Sequence, residues 1–361
     1  MVTWTNYFIH FWITDPQITF DLCRNERLVL GLLIPEQIRG KRSREIMIQK
    51  GRGDLSSEIE GKVVLITGVS PGSLGAFFVS TVAKHSPKLI ILASRDFSKL
   101  QAVVAAITAD PASPQVATRL LKLDLASQAQ IRQAAKEVLA YAENIDVLVN
   151  SAGVMATPYG TTADGLEMQF GANHIGHFLF TNLIMPKLLT SPAPRVVSVT
   201  SDGHRLSPIR WDDYGFQGGK TYEKWRAYGQ SKTANMLFAV SLAEKLGEKR
   251  LRAYSVHPGV IFTNLGQLLA EEDFKNLRDL DKELGNKEGE REGLVIKQID
   301  EGTATHVVGA FDPRIADYNG AYLLDGHLAP DDEIKPYAVD PKEAEGLWKL
   351  SESLLEEDLA Y

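Results

Sequence analysis

The stretch "TGVSPGSLG", Thr67 to Gly75, stands between two apolar runs, "KVVLI" at 62–66 and "AFFV" at 76–79. A strand that feeds a helix needs only a short turn, and Pro71-Gly72 alone would make one. Three glycines and two serines permit another reading. Backbone free of side chains lets a pyrophosphate come close, and the open amides and dipole of the next helix favour its charge. Glycine-rich loops are common, so the loop alone does not choose between cradle and turn. The strands and motifs downstream of it do.

From Gly61 onward, short β-branched runs alternate with longer helical patterns. The strand candidates are 62–68, 88–94, 119–125, 146–153, 195–201, 251–259 and, at an edge, 320–324. Most are continuously apolar, as strands buried on both faces must be. Between them the pattern predicts helices over 75–85, 97–109, 126–142, 164–189 and 225–248. This alternation specifies an α/β fold: a Rossmann-type, doubly wound parallel sheet with helices on both faces, in one domain from about residue 58 to 361. The charged, glycine-punctuated stretch 269–293 is the one expected excursion from the sheet. In such sheets ligands sit at the carboxyl ends of the strands, where the strand order switches.

The bulk composition agrees. Of 361 residues, 44% are hydrophobic and 24% charged, the balance of a soluble globular protein. A net charge of −7 disfavours a nucleic-acid partner, which needs a concentrated basic face. Cys23 is the only cysteine, which excludes an internal disulfide and a cysteine-built zinc cage. The first 57 residues are aromatic and apolar in places, but Asp15, Pro16 and Asp21 interrupt them and no run of 18 apolar residues occurs. A transmembrane span is not expected there. A packed or loosely ordered extension, a peripheral membrane contact and a cleaved leader stay open.

Candidate site residues fall at strand ends. In the first loop they are Thr67, Gly68, Ser70, Gly72, Leu74 and Gly75. Ser94 and Arg95 end the second strand, where an acidic residue would suit NAD and an Arg can fork onto the 2′-phosphate of NADP. NADP is therefore the expected cofactor, against a solvated Arg beside a helix-capping Ser94 or Asp96. Asp124 and Leu125 end the third strand, where the carboxylate could accept from adenine or cap the next helix. In "NSAG", Asn150 to Gly153, Ala152 and Gly153 leave room for an adenosine or simply turn. "HPGVIFTNL" brings Pro258, Gly259, Ile261 and Thr263 to the end of the sixth strand, where Ile261 and Thr263 could bind a carboxamide.

Tyr228 and Lys232, in "YGQSK", lie four apart on one helical face. An ammonium beside a phenol favours the phenolate, bringing a pKa near 10 toward working pH and making the tyrosine a general acid or base. Ser201, at the end of "RVVSVTS", can hold a carbonyl oxygen while Tyr228 moves the proton. Asn173, a mediocre helix former inside a helical stretch, suggests either a held water connecting Lys232 to solvent or a satisfied buried amide. His174 and His177 lack the partners of a zinc site. His204 near Ser201 invites a hydrolase reading, but Ser201 is not in a GxSxG elbow.

Taken in order, Thr67–Gly75, "NSAG", Asn173, Ser201, Tyr228 with Lys232, and "HPG" resemble the short-chain dehydrogenase/reductase superfamily. "NHIGHFLFTNLI", "AYGQSKTANMLF" and "HPGVIFTNL" are similar to the branch of retinol dehydrogenases, the WW-domain-containing oxidoreductase and fungal secondary-metabolism reductases. Over about residues 60–330 the resemblance implies hydride transfer with NAD(P), Tyr228 as acid/base, Lys232 on the nicotinamide ribose, Ser201 orienting substrate and Asn173 in a proton relay. It also implies dimerisation through the 164–189 and 225–248 helices. The loop departs from the family's TGxxxGxG by one extra residue, expected within Val69–Ser73 if Leu74-Gly75 opens the helix. The expected substrate is a lipophilic carbonyl or secondary alcohol, lined by Val154, Met155, Trp211, Tyr214 and the 260–300 segment. A cytoplasmic enzyme, with N-terminal membrane contact left open, is expected. The competing readings are an extended-type epimerase or dehydratase and a non-catalytic partner-binding module that keeps the fold.

Overall fold

The computed structural model describes residues 55–113, 115–267, 269–290, 295–359 and 361. The aromatic N-terminal stretch and Cys23 lie outside the described residues. After a short helix α1 (Ser56–Ile59), strands and helices alternate: β1 (Val63–Thr67), α2 (Leu74–Ala83), β2 (Leu89–Ser94), α3 (Phe97–Ala109), β3 (Thr118–Lys122), α4 (Gln128–Leu139) and β4 (Val147–Asn150). Next, α5 (Met168–Phe170) passes through a π turn at Gly171–Ile175 into α6 (Gly176–Leu188). β5 (Arg195–Val199), a 3₁₀ turn (Asp202–Leu206), α7 (Lys224–Leu246) and β6 (Arg252–His257) come after it. The chain ends with α8 (Glu271–Glu283), α9 (Ile299–Phe311), β7 (Tyr322–Leu324), β8 (His327–Leu328) and α10 (Pro341–Leu355).

The strands form one sheet in the order β3-β2-β1-β4-β5-β6-β7-β8. Every pairing is parallel except β7 with β8. The continuous apolar runs are explained by where their alternate residues point. Val63 and Leu65 of β1 pack with α4, α6, α7 and α10, whereas Val64 and Ile66 pack with α2, α3 and α9. The strand order reverses between β1 and β4, which places the crevice at the ends of those two strands.

Several expected elements take a different form. The helix expected over 164–189 is broken by the π turn, and Asn173 sits inside it. The 269–293 excursion contains α8. α9 escapes the sequence pattern because Gly302, Gly309 and four Thr or Val residues make its sequence, "IDEGTATHVVGAF", a poor helix former. Its glycines have a packing reason: a Cβ at Gly302 would lie 1.9 Å from Ile261 Cδ1, and one at Gly309 would lie 3.0 Å from Val256. α10, capped by Asp340, lies on α6 and α7, with Trp348 edge-on to Phe178 at 4.8 Å and Ser241 Oγ donating to the Ala344 carbonyl at 3.0 Å. The two helices that the resemblance assigns to dimerisation therefore already carry a helix of their own chain. Among the described residues, no helix is long and apolar enough to cross a membrane.

Candidate active site at the strand ends

α2 opens at Leu74, so the extra residue does lie within the loop Val69–Ser73. Ser73 organises that loop through all of its hydrogen-bonding capacity. Its hydroxyl donates to the Gly68 carbonyl (3.2 Å) and accepts from the amides of Ser70 and Ala76 (both 3.1 Å). The amides of Gly72, Leu74 and Gly75 have no partner among the described residues. They are the open donors at a helix N-terminus that an anion would use. Gly68 is required twice over: φ is +78°, and a Cβ would lie 2.6 Å from the Ala152 backbone. Gly75 brings α2 against the Gly68 carbonyl, 2.8 Å from its would-be Cβ. The Pro71 carbonyl of the loop accepts from Asn264 Nδ2 at 2.8 Å.

At the end of β2, Asp96 is the helix cap: its carboxylate accepts from the amides of Ser98 and Lys99 at 3.0 and 3.3 Å. Ser94 is half-buried and Arg95 exposed, and Arg95 forms no ion pair with a described residue. After β3, Ser127 caps α4 and Asp124 accepts from the Ala126 amide at 3.0 Å, with Leu125 buried beside them. In "NSAG" the amides of Ser151 and Ala152 both donate to Thr67 Oγ1 at 3.0 Å. With both lone pairs taken, the Thr67 proton goes to His177 Nε2 (2.9 Å), which leaves His177 Nδ1–H donating to the Asn173 carbonyl (2.9 Å). Burial holds that imidazole neutral, with its pKa pushed down to about 4. His177 is thus neither a ligand nor idle. It ties the start of the glycine loop to the π turn.

Asn150 is buried, with Nδ2 donating to Thr181 Oγ1 at 3.0 Å. Asn173 makes three bonds: Oδ1 accepts from the Val154 amide (2.8 Å), while Nδ2 donates to the Val154 carbonyl (2.9 Å) and to Ser231 Oγ (3.0 Å), which leaves one Oδ1 lone pair. A Cβ at Gly153 would lie 3.2 Å from Asn173 Oδ1 and 3.7 Å from Lys232 Nζ, so both groups converge on this glycine. Lys232 Nζ donates to the Val199 carbonyl at 3.1 Å and lies 5.4 Å from the centre of the Tyr228 ring. Burial pushes its pKa down to about 8.

Tyr228 is 5% exposed, and a Cβ at Gly203 would lie 3.3 Å from Ser201 Oγ as well as against the Tyr228 ring, so the two side chains border the same glycine. Two glycines that sequence reasoning missed bring these residues together. A Cβ at Gly203 would lie 2.9 Å from the Tyr228 ring, and one at Gly229 would lie 2.9 Å from the Gly203 carbonyl, so the 3₁₀ turn and α7 can meet only without side chains there. The Ser201 hydroxyl donates to Asp202 Oδ1 and accepts from the Gly203 amide, both at 3.0 Å. The expected fall of the phenol pKa is not what burial dictates. Desolvation pushes Tyr228 well above its ordinary value. His204 cannot serve as a base for Ser201: Nδ1 meets the Ser201 carbonyl (3.0 Å) and Nε2 accepts from the Lys335 amide (3.3 Å).

Beyond β6, Gly259 has φ +88° and lies against Lys297, while Lys297 N donates to the Val260 carbonyl at 2.8 Å. Pro258 and Ile261 both touch Gly302 of α9, and Thr263 caps a short 3₁₀ turn by accepting from the Leu265 amide. The wall over Tyr228 is α8: Leu280 packs with Trp225, Tyr228, Leu206 and Ala156, and Met155, Leu277 and Leu284 flank this cluster. Trp211 stands elsewhere, against Gly346 of α10 with Nε1 donating to Glu343 at 3.0 Å, and Tyr214 packs near Phe170. These two aromatics are therefore not part of the Tyr228 wall, contrary to the sequence expectation.

The chain is similar to retinol dehydrogenase 12 of Mus musculus, at 41% identity over 208 residues, 58% of this chain and 64% of the relative. It thus spans less than two thirds of that relative's length. It matches more of retinol dehydrogenase 14 of Mus musculus, at 32% identity over 315 residues, 85% of this chain and 89% of the relative. Among solved structures, an uncharacterized protein from Mycobacterium Paratuberculosis superposes with a TM-score of 0.60 at 30% identity, covering 84% of this chain and 96% of the other. The sequence profile of short chain dehydrogenase matches residues 62–273, more than half of the chain, and the chain belongs to that family.

Proposed function

We propose that this protein is an NADP(H)-dependent oxidoreductase that moves a hydride between the nicotinamide and a lipophilic carbonyl or secondary alcohol. The observation that carries this reading is the convergence of Ser201, Tyr228 and Lys232, drawn together by Gly203 and Gly229 at the end of β5. When bound, the nicotinamide supplies or accepts the hydride. The residues of the chain do the rest. Ser201 holds the substrate oxygen by its hydroxyl proton. Tyr228, kept as a phenol by burial, gives that oxygen its proton during reduction and regains it during oxidation. Lys232 carries its charge through neutral pH and has donors left for the nicotinamide ribose. Asn173 belongs to the proton path as the group that meets Lys232 at Gly153.

The open amides of Gly72, Leu74 and Gly75 suit the pyrophosphate, helped by Thr67, Gly68 and Ser70 in shaping the loop. Arg95 and Ser94 suit the 2′-phosphate. Their neighbour Asp96 is committed to capping α3, and so does not stand in for the acidic residue of an NAD site. Asp124, Leu125, Asn150, Ala152 and Gly153 would flank the adenosine, and Pro258, Gly259, Ile261 and Thr263 the carboxamide. The apolar wall of Leu280, Trp225 and Met155 supports a lipophilic substrate, and the relatives named for retinol point the same way. A place in secondary metabolism, a cytoplasmic or membrane-peripheral location and a homodimer rest on the resemblance and form part of the same proposal.

The test is initial-rate NADPH oxidation with a panel of retinal, long-chain aldehydes and apolar ketones, beside NADH. Turnover preferring NADPH is expected, and Arg95→Glu should weaken NADPH binding by about a hundredfold while sparing NADH. NADPH binding without turnover on any carbonyl or alcohol would favour the partner-binding module. An unchanged preference in Arg95→Glu would overturn the NADP assignment.

A further inference from the structure

The segment over the substrate side is fastened by one buried ion cluster that the reaction above does not use. Arg205 lies four residues after Ser201, with its side chain 10% exposed. Its guanidinium forks onto Asp281 of α8, Nε to Oδ1 and Nη2 to Oδ2, both at 2.9 Å. The same group reaches Asp202 Oδ2 through Nη1 at 2.7 Å and Glu288 Oε2 through Nε at 3.3 Å. Asn286 Nδ2 donates to Asp281 Oδ1 at 2.9 Å and completes the enclosure. The other oxygen of Asp202 accepts the Ser201 hydroxyl proton. A continuous path of contacts therefore runs from α8 through Arg205 and Asp202 to Ser201.

The links from α8 to α7 are exposed or lie at its other end. The Arg226–Glu283 pair is exposed at Glu283, and exposed pairs contribute little. Lys224 pairs with the buried Asp273, whose carbonyl accepts from Trp225 Nε1 at 3.0 Å, but this anchor lies at the far end of the helix. Among the described residues, Arg205–Asp281 is the buried ion pair at the end of α8 where Leu280 covers Tyr228, with the exposed Arg226–Glu283 pair beside it. A buried, forked pair of this kind fixes geometry, and removing one partner strands the other charge.

The two arms of Arg205 have distinct chemical consequences. The Ser201 hydroxyl donates to the Asp202 carboxylate, so a substrate oxygen must compete with that carboxylate for the hydrogen bond. A carboxylate shared with a guanidinium is a weaker competitor than one left alone. We propose that Arg205 is a positioning residue that seats α8 over Tyr228 and, through Asp202, sets how readily Ser201 turns its hydroxyl to the substrate. Closure of the substrate side and presentation of the serine are then one event. This rests on the oxidoreductase reading for its kinetic half only.

The experiment compares Asp281→Asn, Arg205→Met, Asp202→Asn and the Asp202→Asn/Arg205→Met double variant, each with NADPH titration and amide hydrogen exchange of the unliganded protein. Asp281→Asn should speed exchange in 271–283 without changing 233–246, and raise KM for the carbonyl about tenfold with kcat less affected. Arg205→Met should lower kcat about tenfold, and the double variant should recover most of that loss. NADPH affinity should stay within about twofold throughout. Unchanged exchange of α8 in Asp281→Asn overturns the seating role. A double variant no faster than Arg205→Met, though folded and binding NADPH, overturns the serine role. If Arg205→Met fails to fold, Asp202→Asn in the Asp281→Asn background replaces it, and strictly multiplicative effects on kcat/KM there overturn the coupling. Faster exchange of α8 with no turnover by the parent protein would refute the oxidoreductase reading and the serine role together, while the seating of α8 would stand.

Discussion

The β1–β4 half of the sheet and the β5–β8 half build their strand-end sites in opposite ways. In the first, the open amides are set by contacts short in sequence: Ser73 organises a loop whose members are three and five residues away, and Asp96 caps the helix two and three residues on. Only the loop's start is tied across the chain, by Thr67 to Ser151, Ala152 and His177. In the second, they span the chain. Trp225 meets Asp273 across 48 residues, Arg205 meets Asp281 across 76, and His204 meets Lys335 across 131. A phosphate-sized anion is common to every nucleotide, so a local loop suffices to hold it. A substrate pocket needs a shape, and shape is supplied by distant elements brought over Tyr228.

The sharpest way to break this contrast is at Gly68. Alanine there must adopt a φ of +78° and place a methyl 2.6 Å from the Ala152 backbone, so Gly68→Ala should cost about 3 kcal/mol or more in denaturant unfolding. A cost below about 1 kcal/mol would mean that the close approach of Gly68 to Ala152 is not what fixes the start of the loop.

Acid should act on both halves, with an intermediate effect. His177 is buried beside Thr67 at the end of β1 and His204 in the 3₁₀ turn after β5. The pKa of each is pushed down to about 4 from an ordinary 6.5 by burial. His306, beneath α2, has the same depression. The unfolded chain takes up protons first, so stability should decline as pH falls from 6.5 toward about 4, and be independent of these groups above 6.5. Thermal unfolding against pH measures it. A melting temperature that is flat or rises across that window would show that these imidazoles are charged or exposed in the folded protein.

The smallest effect is expected where the two halves touch. Asn264, beyond β6, donates to the Pro71 carbonyl of the glycine loop across 193 residues. The bond is exposed, so Asn264→Ala should leave stability within about 0.5 kcal/mol and speed NADPH release by about two- to fivefold. Stopped-flow fluorescence of NADPH dissociation reads this directly, and slower release would contradict a bridging role for Asn264.

The same contrast explains what was legible in the sequence. The strands, the doubly wound order and the helix over 97–109 follow from period and buried apolar runs, because these are local properties. Tyr228, Lys232 and Ser201 could be proposed from spacing and strand ends. Gly203 and Gly229 carry a weak signal, a glycine beside each of the two hydroxyl residues, and only their close approach gives it meaning. Asp202, Arg205 and Asp281 read as ordinary charges, since nothing local tells a solvated carboxylate from one buried under a guanidinium. α9 was hidden by its glycines and threonines, whose cost in helix propensity is offset by close packing on Val256 and Ile261. Trp211 misled because an aromatic near a serine motif suggests a pocket, whereas α10 claims it.

The most direct test of the proposed chemistry is Tyr228→Phe, which removes one hydroxyl from a ring that Gly203 and Trp225 still hold in place. Steady-state reduction of the best carbonyl by NADPH should fall by about a thousandfold, with NADPH affinity and melting temperature little changed. Turnover within about tenfold of the parent protein, with the variant folded and binding NADPH, would contradict Tyr228 as the group that moves the proton.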